Sequence, residues 1–167
     1  MSGPAMARID IIVTGGCQCG AVRYRSTALM DNAHICHCRM CQKAVGNLFA
    51  ALVGAPNDAL VWTRGTPAVF ASSDSADRGF CAACGTPLFY RGKESPRTGL
   101  TIGSLDDPSL APAKVQVGME GRLAVMDDLC TLPDEGTTEA EMPEEAAAIA
   151  AANHQHPDHE TSVWPPK

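Results

Sequence analysis

Three short stretches of this chain decide how it folds: Cys17-Gln18-Cys19, Cys36-His37-Cys38-Arg39-Met40-Cys41 and Cys81-Ala82-Ala83-Cys84. They contain seven of the eight cysteines, at Cys-x-Cys and Cys-x-x-Cys spacings. Cysteines this close in sequence do not easily adopt disulfide geometry with each other, whereas their thiolates can converge on one metal ion. The spacing therefore predicts metal sites, and it favours zinc over an iron–sulfur cluster or a disulfide framework.

Seven thiolates divide into a group of four and a group of three. Cys36, Cys38 and Cys41 lie in one short loop, so bringing all three to a single metal costs little loop-closure entropy. The remaining four would form a closed tetrahedral site that joins two distant segments and stabilises the fold: Cys17, Cys19, Cys81 and Cys84. A zinc with three protein ligands keeps a position for water or substrate, as catalytic zinc sites do. The sequence thus predicts two zinc ions per chain, one structural with four Cys and one catalytic with three Cys.

Three residues are candidates for a fourth ligand of the three-cysteine site: His34, His37 and Cys130. His34 lies two residues before Cys36, on the same face of a predicted strand, so it could act as ligand, base or hydrogen-bonding partner. His37 points away from its flanking cysteines in an extended segment, which favours a packing or hydrogen-bonding role. The isolated Cys130 is interpreted as a small buried residue. If a protein side chain closes the site, both zinc sites are structural and the protein is a non-catalytic, zinc-stabilised binding module.

Composition favours many short strands over a helical bundle. The chain has 15 Gly and 12 Pro among 167 residues, and only 5% of its residues are aromatic. A short helix is predicted over Arg39–Val45, with Gly46 just after its end, and Asp106-Asp107-Pro108 can open a helical turn. Residues 72–77 are predicted to form a turn. Apolar alternation and turn signals predict strands over residues 9–13, 21–25, 33–36, 49–53, 60–63, 68–71, 88–91, 100–103, 114–117 and 123–126.

Charge separates the C-terminal part from the rest. Residues 1–126 carry 12 Lys and Arg against 9 Asp and Glu, whereas residues 127–167 carry one Lys against 10 acidic residues. This change in composition predicts a zinc-binding β domain over residues 1–133 and an acidic, Ala-rich helical tail over residues 134–167, with the helix over Thr137–Asn153. His154, His156 and His159 are interpreted as part of a solvated terminus. The packing of Trp164 stays open.

Partners and compartment follow from what the sequence lacks. No basic patch of the kind that binds nucleic acid is present, and no apolar run approaches the roughly 20 residues that span a bilayer. The N-terminal residues lack the apolar core of a signal peptide, so a cytoplasmic location is expected. The oligomeric state is not predicted.

The motifs resemble those of one family. Three segments carry the resemblance, in order: Gly15-Gly-Cys-Gln-Cys-Gly-Ala-Val-Arg-Tyr24, Cys36-His-Cys-Arg-Met-Cys41 through Gly46, and Phe80-Cys-Ala-Ala-Cys-Gly-Thr-Pro-Leu88. They look like the signatures of the glutathione-dependent formaldehyde-activating enzyme and centromere-protein-V family, over roughly residues 10–133. The resemblance implies a mainly β fold, the β-tent, in which small antiparallel sheets are joined by a structural zinc. Methionine-R-sulfoxide reductases share that fold, but their redox chemistry would have to use Cys130.

The resemblance also implies an activity. The expected enzyme is a zinc-dependent carbon–sulfur lyase that joins or releases formaldehyde and glutathione as S-hydroxymethylglutathione, with a small thiol as its partner. Cys36, Cys38 and Cys41 would be the catalytic zinc ligands, and the other four clustered cysteines the structural ones. Arg39 and Lys43 flank the catalytic triplet and could meet the carboxylates of a peptide thiol. The chain departs from the family in having no His in residues 114–117 and no Trp in residues 123–126.

Overall fold

A computed structural model describes residues 6–163, so Trp164 lies outside the described residues. Within them are three helices: α1 (Arg39–Val45), α2 (Thr138–Glu141) and α3 (Pro143–Ala152). The same residues form ten strands: β1 (Arg8–Gly16), β2 (Arg23–Met30), β3 (His34–Cys36), β4 (Ala50–Pro56), β5 (Leu60–Arg64), β6 (Ala68–Ser73), β7 (Ala76–Phe80), β8 (Pro87–Gly92), β9 (Arg97–Thr101) and β10 (Val115–Val117). The mainly β class predicted from the sequence is confirmed.

The strands form two sheets. The smaller sheet has the order β1-β2-β5, and the larger has the order β10-β3-β4-β9-β8-β7-β6. Neighbouring strands are antiparallel except β10 and β3, which run parallel. The larger sheet therefore has more strands than the small antiparallel sheets that were expected, and it includes one parallel pair at its edge.

The core lies between the two sheets, where β2 packs across β4. Tyr24, Leu88 and Leu100 are fully buried there. The Tyr24 hydroxyl lies 2.8 Å from the Ser104 hydroxyl, so the polar end of this buried ring has a partner. The ring of Trp62 meets Tyr24 edge-on, with the centroids 5.6 Å apart. This core fixes the sheets against each other.

One local prediction holds only in part and another is wrong. The turn predicted over residues 72–77 is present but narrower, at residues 74–75, because β6 continues to Ser73 and β7 already starts at Ala76. Packing explains the glycine at position 79 of β7. The Phe89 ring lies over Gly79, and a Cβ there would come within 1.9 Å of the ring. Residues 123–126 were expected to form a strand, but Ala124–Asp127 is a 3-10 helix.

The predicted single helix over Thr137–Asn153 is two helices, because Pro143 starts α3 directly after α2 ends. The Thr137 hydroxyl caps α2 by accepting a hydrogen bond from the Ala140 N–H. Both helices are largely exposed. The division at residue 133 stays a prediction. No helix within residues 6–163 combines the length and apolarity needed to cross a membrane.

Candidate metal centres

Cys17, Cys19, Cys81 and Cys84 form one cluster, called the four-cysteine cluster below. Their four sulfur atoms all lie within 4.8 Å of one another. The sulfur of Cys19 lies 3.6 Å from that of Cys17 and 3.8 Å from that of Cys81. Tetrahedral zinc with Zn–S bonds of about 2.3 Å places its sulfurs about 3.8 Å apart. The cluster therefore has the ligand type and spacing of a tetrahedral metal site and is compatible with zinc.

Two tight turns bring these sulfurs together. Gly20 follows Cys19 with φ of 75°, and Gly85 follows Cys84 with φ of 79°. Only glycine adopts this left-handed backbone without strain, so both turns depend on it. The Gly20 N–H donates to the Cys17 carbonyl, and the Val22 N–H donates to the Cys17 sulfur at 3.2 Å. The backbone that shapes each turn also aims its thiols inward.

The protonation of these thiols depends on their surroundings. Burial raises the pKa of the Cys17 thiol to about 12, although the Val22 N–H opposes the shift. Burial acts upward on the Cys84 pKa as well, but hydrogen bonds from the Thr86 side chain and backbone outweigh it and lower that pKa to about 6. Because metal ions bind the thiolate, a divalent cation would relieve the cost of ionising the buried thiols.

Cys36, Cys38 and Cys41 form the second cluster, called the three-cysteine cluster below. Cys36 ends β3, Cys38 is the residue before α1, and Cys41 lies in the first turn of that helix. Their sulfurs also lie within 4.8 Å of one another. Burial raises the pKa of the Cys36 thiol to about 12. For Cys38, burial acts upward but hydrogen bonds with Cys41 and the charge of Arg78 lower its pKa. Both predicted groupings of cysteines are thus brought together in space.

The loop of the three-cysteine cluster is held by the segment that follows β10. The Gln42 side-chain amide donates to the carbonyls of His37 and Gly121, both at 2.8 Å. Gly118, with φ of 66°, lies so close that a Cβ there would meet the Cys38 backbone nitrogen at 2.6 Å. A second chain segment therefore fixes the backbone that presents these thiols.

The candidates for a fourth ligand lie elsewhere. The His34 Nδ1 lies 2.7 Å from the Asn32 carbonyl. His37 is fully buried with Nε2 2.8 Å from Gln116 Oε1, which confirms its predicted hydrogen-bonding role. Cys130 is exposed, so its interpretation as a buried residue is wrong; it sits among 3-10 turns that offer no core to enter. No His, Asp or Glu within residues 6–163 places a ligand atom within 4.8 Å of all three sulfurs.

A groove of about 710 Å³ runs beside the three-cysteine cluster, lined by residues that include His34, Leu52, Tyr90 and Val117. Leu52 packs against the cluster, and Val117 is the register partner of Cys36 across the β10–β3 pair. The groove has room for a small molecule, and Leu52 and Val117 lie between it and the cluster. Arg39 and Lys43, the predicted carboxylate contacts, are exposed on α1, and their role stays a prediction.

The sequence did not indicate that Arg78 belongs to this site. Its Nη2 donates to the Cys41 sulfur at 3.4 Å, and its guanidinium carbon lies 5.1 Å from the centre of the Tyr90 ring. Tyr90 lines the groove, so one arginine connects the groove to the cluster. Arg78 lies on β7, a strand that was not predicted, so no local pattern in the sequence indicated its position.

The C-terminal strap, residues 154–163, folds back onto the four-cysteine cluster. The His156 N–H donates to the Gln18 carbonyl at 2.6 Å, between two of the cysteines. The His156 side chain lies beside the Thr161 hydroxyl at 2.9 Å and Arg64 at 3.3 Å. His156 is only 4% exposed, whereas His154 and His159 are exposed, so the solvated terminus predicted for all three is wrong for this one. Burial lowers the pKa of His156.

Comparison with known proteins agrees with this architecture. A crystal structure of a Rhodobacter sphaeroides protein, a structural-genomics target, aligns with a TM-score of 0.50 and 23% identity, over 62% of this chain and 99% of that chain. At that identity the likeness concerns the fold. Residues 12–120, more than half of the chain and all seven clustered cysteines, match the family model described as glutathione-dependent formaldehyde-activating enzyme. The chain therefore belongs to the glutathione-dependent formaldehyde-activating enzyme family.

Proposed function

We propose that this protein is a zinc-dependent carbon–sulfur lyase acting on a thiol–aldehyde adduct of the S-hydroxymethylglutathione type. In the joining direction, the thiol sulfur forms a bond to the aldehyde carbon, and the thiol proton ends on the new hydroxyl group. The reverse reaction breaks the same carbon–sulfur bond. Neither direction needs an oxidant or a reductant. Family membership supports this reaction class.

The two clusters differ in their number of thiolates, and this difference supports different roles for the metals they would hold. The four-cysteine cluster would hold a structural zinc, because its four thiolates complete a tetrahedral shell. Cys36, Cys38 and Cys41 would hold a catalytic zinc, because no His, Asp, Glu or further Cys among the described residues places a ligand atom near all three sulfurs. This absence of a fourth protein ligand beside a groove is the observation that carries the proposal. A zinc ion bound there would lower the pKa of a substrate thiol and hold it as a thiolate.

The residues around the groove would position the substrate thiol. The three-cysteine cluster lies at one side of the groove, so a thiol whose body occupies the groove can point its sulfur at the cluster. Leu52, Tyr90 and Val117 give that side of the groove an apolar lining against which the body of the thiol can pack. Holding the thiol and the aldehyde together there lowers the entropic cost of their reaction.

A small thiol, glutathione first among the candidates, is the proposed partner. We propose a cytoplasmic location, because seven cysteines come together in two clusters that could hold metal and a reducing compartment keeps clustered thiols available to metal. Neither a nucleic acid nor a membrane is part of this proposal.

Zinc content and adduct exchange test the function. We expect two zinc ions per chain by elemental analysis, and exchange of formaldehyde with S-hydroxymethylglutathione, followed by NMR, above the spontaneous rate. X-ray absorption should show a fourth ligand at the three-cysteine site that changes when glutathione is added. A protein side chain fixed there with and without thiol would contradict the proposal and favour a binding module with two structural zinc ions.

Two cysteine substitutions separate the roles of the clusters. Cys38→Ser should abolish exchange while the domain stays folded. Cys84→Ser should unfold the protein, because structural zinc supplies on the order of 10 kcal/mol, comparable to the whole stability of a domain. Cys130→Ser, at an exposed thiol, is the control and should leave both properties unchanged. Equal loss of folding in Cys38→Ser and Cys84→Ser, measured by circular dichroism, would refute the division into four and three.

A further inference from the structure

Arg78 is held beside the three-cysteine cluster by three contacts. Its Nη2 donates to the Cys41 sulfur at 3.4 Å, and its Nε donates to the Ser72 hydroxyl at 3.1 Å. The guanidinium also lies over the Tyr90 ring, 5.1 Å from its centre. A planar guanidinium that stacks on a ring and donates hydrogen bonds to acceptors on two sides keeps its charge at a defined place, unlike a mobile surface arginine.

The charge of Arg78 is not neutralised by a carboxylate in the described part of the chain. None of the ion pairs found within residues 6–163 includes Arg78. The nearby acid on the same strand, Asp77, pairs instead with Arg91 at 3.7 Å. The positive charge of Arg78 is therefore available to the sulfur that it contacts.

The net charge of the metal centre indicates what Arg78 would do there. A divalent metal with three thiolates carries a net charge of −1, and a fourth thiolate makes it −2. Arg78 would bring the complete centre back to −1. A cation close to the sulfurs favours the entry of an anionic thiolate over that of neutral water, because only the thiolate adds negative charge.

We propose that Arg78 is a positioning residue that holds the Cys41 thiolate and selects a thiolate as the fourth ligand of the three-cysteine centre. This inference rests on the proposed function, since it assumes that a substrate thiol binds there. The thiol proton leaves to solvent as the sulfur enters. Arg78 thereby controls how tightly the substrate sulfur is held, while the metal and the three cysteines remain the reacting centre.

Cobalt provides a readout other than activity. Co²⁺ bound to thiolates absorbs through sulfur-to-metal charge transfer, so the full-length protein can be loaded with Co²⁺ and titrated with glutathione. We expect Arg78→Gln to weaken glutathione binding roughly fivefold, the upper end for a partly exposed charge pair. Arg78→Lys, which keeps the charge, should restore most of the affinity. Arg91→Gln is the matched control, because Arg91 also stacks on an aromatic ring of β8, Phe89, but its charge pairs with Asp77 rather than contacting a cysteine.

Each outcome decides a different point. Arg78→Gln with unchanged affinity, in a protein whose wild type binds glutathione and exchanges formaldehyde, overturns the role of Arg78 and leaves the proposed function standing. Failure of the wild type to bind glutathione overturns both. An equal loss in Arg91→Gln would mean a general effect of surface charge and would also refute the inference. If Arg78→Gln does not retain cobalt at the three-cysteine cluster, Arg78→Lys decides the question. Affinity near wild type supports the proposal, and affinity weaker by about fivefold or more contradicts it.

Discussion

Arg23 carries a positive charge into the interior, where its side chain is 2% exposed. Its two terminal nitrogens donate to the two carboxylate oxygens of Asp106, at 2.8 and 2.5 Å. Glu160 of the C-terminal strap adds a second contact at 3.1 Å. Burial acts to raise the pKa of Asp106, but the hydrogen bonds from Arg23 outweigh it and hold that pKa below its ordinary value. One buried arginine therefore links the β2 strand, the loop after β9 and the strap.

Replacing Asp106 with Asn should cost about 3 kcal/mol of unfolding free energy, because it leaves the buried Arg23 charge without its main partner. Since folding lowers the Asp106 pKa, its stabilisation is present above the ordinary carboxyl pKa, near 4, and is lost as the pH falls through the lowered value. Urea unfolding at pH 7 and at steps down to pH 3 measures both effects. Asp127→Asn, at a mostly exposed ion pair with Arg122, should leave the urea midpoint almost unchanged. Equal losses in both variants would show that burial does not strengthen the Arg23–Asp106 pair.

Among individual residues, the grouping of the seven clustered cysteines could be predicted from the sequence. The contacts of Arg78 and His156 with the two clusters could not. Cysteines two or three positions apart are neighbours in any fold, so their spacing alone indicates shared ligation. Arg78 meets Cys41 across 37 positions and His156 meets Gln18 across the length of the domain, so both contacts depend on the tertiary structure. A charged or polar residue carries no local signal of such a partner.

Among the elements, helix α1 shows how far local signals reach. Its predicted bounds, Arg39–Val45, match the structure, because Gly46 ends it in the left-handed conformation with φ of 63°. Strand β7 was missed because its Ala-Asp-Arg-Gly-Phe sequence is poor in strand-forming residues; pairing with β6 and β8 on both sides compensates for that. Residues 123–126 have a strand-like composition but no strand beside them, and without that pairing they form a 3-10 helix.

The turn after β10 should control the three-cysteine cluster through Gly118. Gly118→Ala forces a side chain into a left-handed conformation, at a cost of about 1 kcal/mol, and drives its Cβ to 2.6 Å from the Cys38 nitrogen. Gly46→Ala is a matched control, because it has a similar positive φ but no atom within 4 Å of the added Cβ. If both clusters hold zinc as proposed, we expect Gly118→Ala to lose the zinc of the three-cysteine cluster and keep that of the four-cysteine cluster by elemental analysis, whereas Gly46→Ala should keep both. Retention of both zinc ions in Gly118→Ala would show that the Cys38 backbone can shift without loss of the site.

For the molecule as a whole, the four-cysteine cluster joins the two sheets. Cys17 follows β1 of the smaller sheet, and Cys81 follows β7 of the larger one. The C-terminal strap then adds a third segment, since the Arg64 guanidinium donates to the Thr161 carbonyl and to the Gly20 carbonyl within the first turn. The cysteine spacing predicted that the two segments are joined. The strap is polar and has no apolar periodicity, so its sequence did not predict that it docks on the cluster.

His156→Ala should loosen the strap and, through it, the four-cysteine cluster. The substitution removes a buried side chain with partners at Arg64 and Thr161, which should cost about 2 kcal/mol of unfolding free energy. Because His156 is seated on the Cys17–Cys19 turn, we also expect zinc loaded at the four-cysteine cluster to pass faster to a chromogenic chelator. The increase should be roughly thirtyfold if the full 2 kcal/mol is lost from the closed state of the turn. His159→Ala, at an exposed histidine of the same strap, should alter neither the urea midpoint nor the rate of zinc release. A destabilised His156→Ala protein that releases zinc at the wild-type rate would mean that the strap stabilises the fold without guarding the metal site.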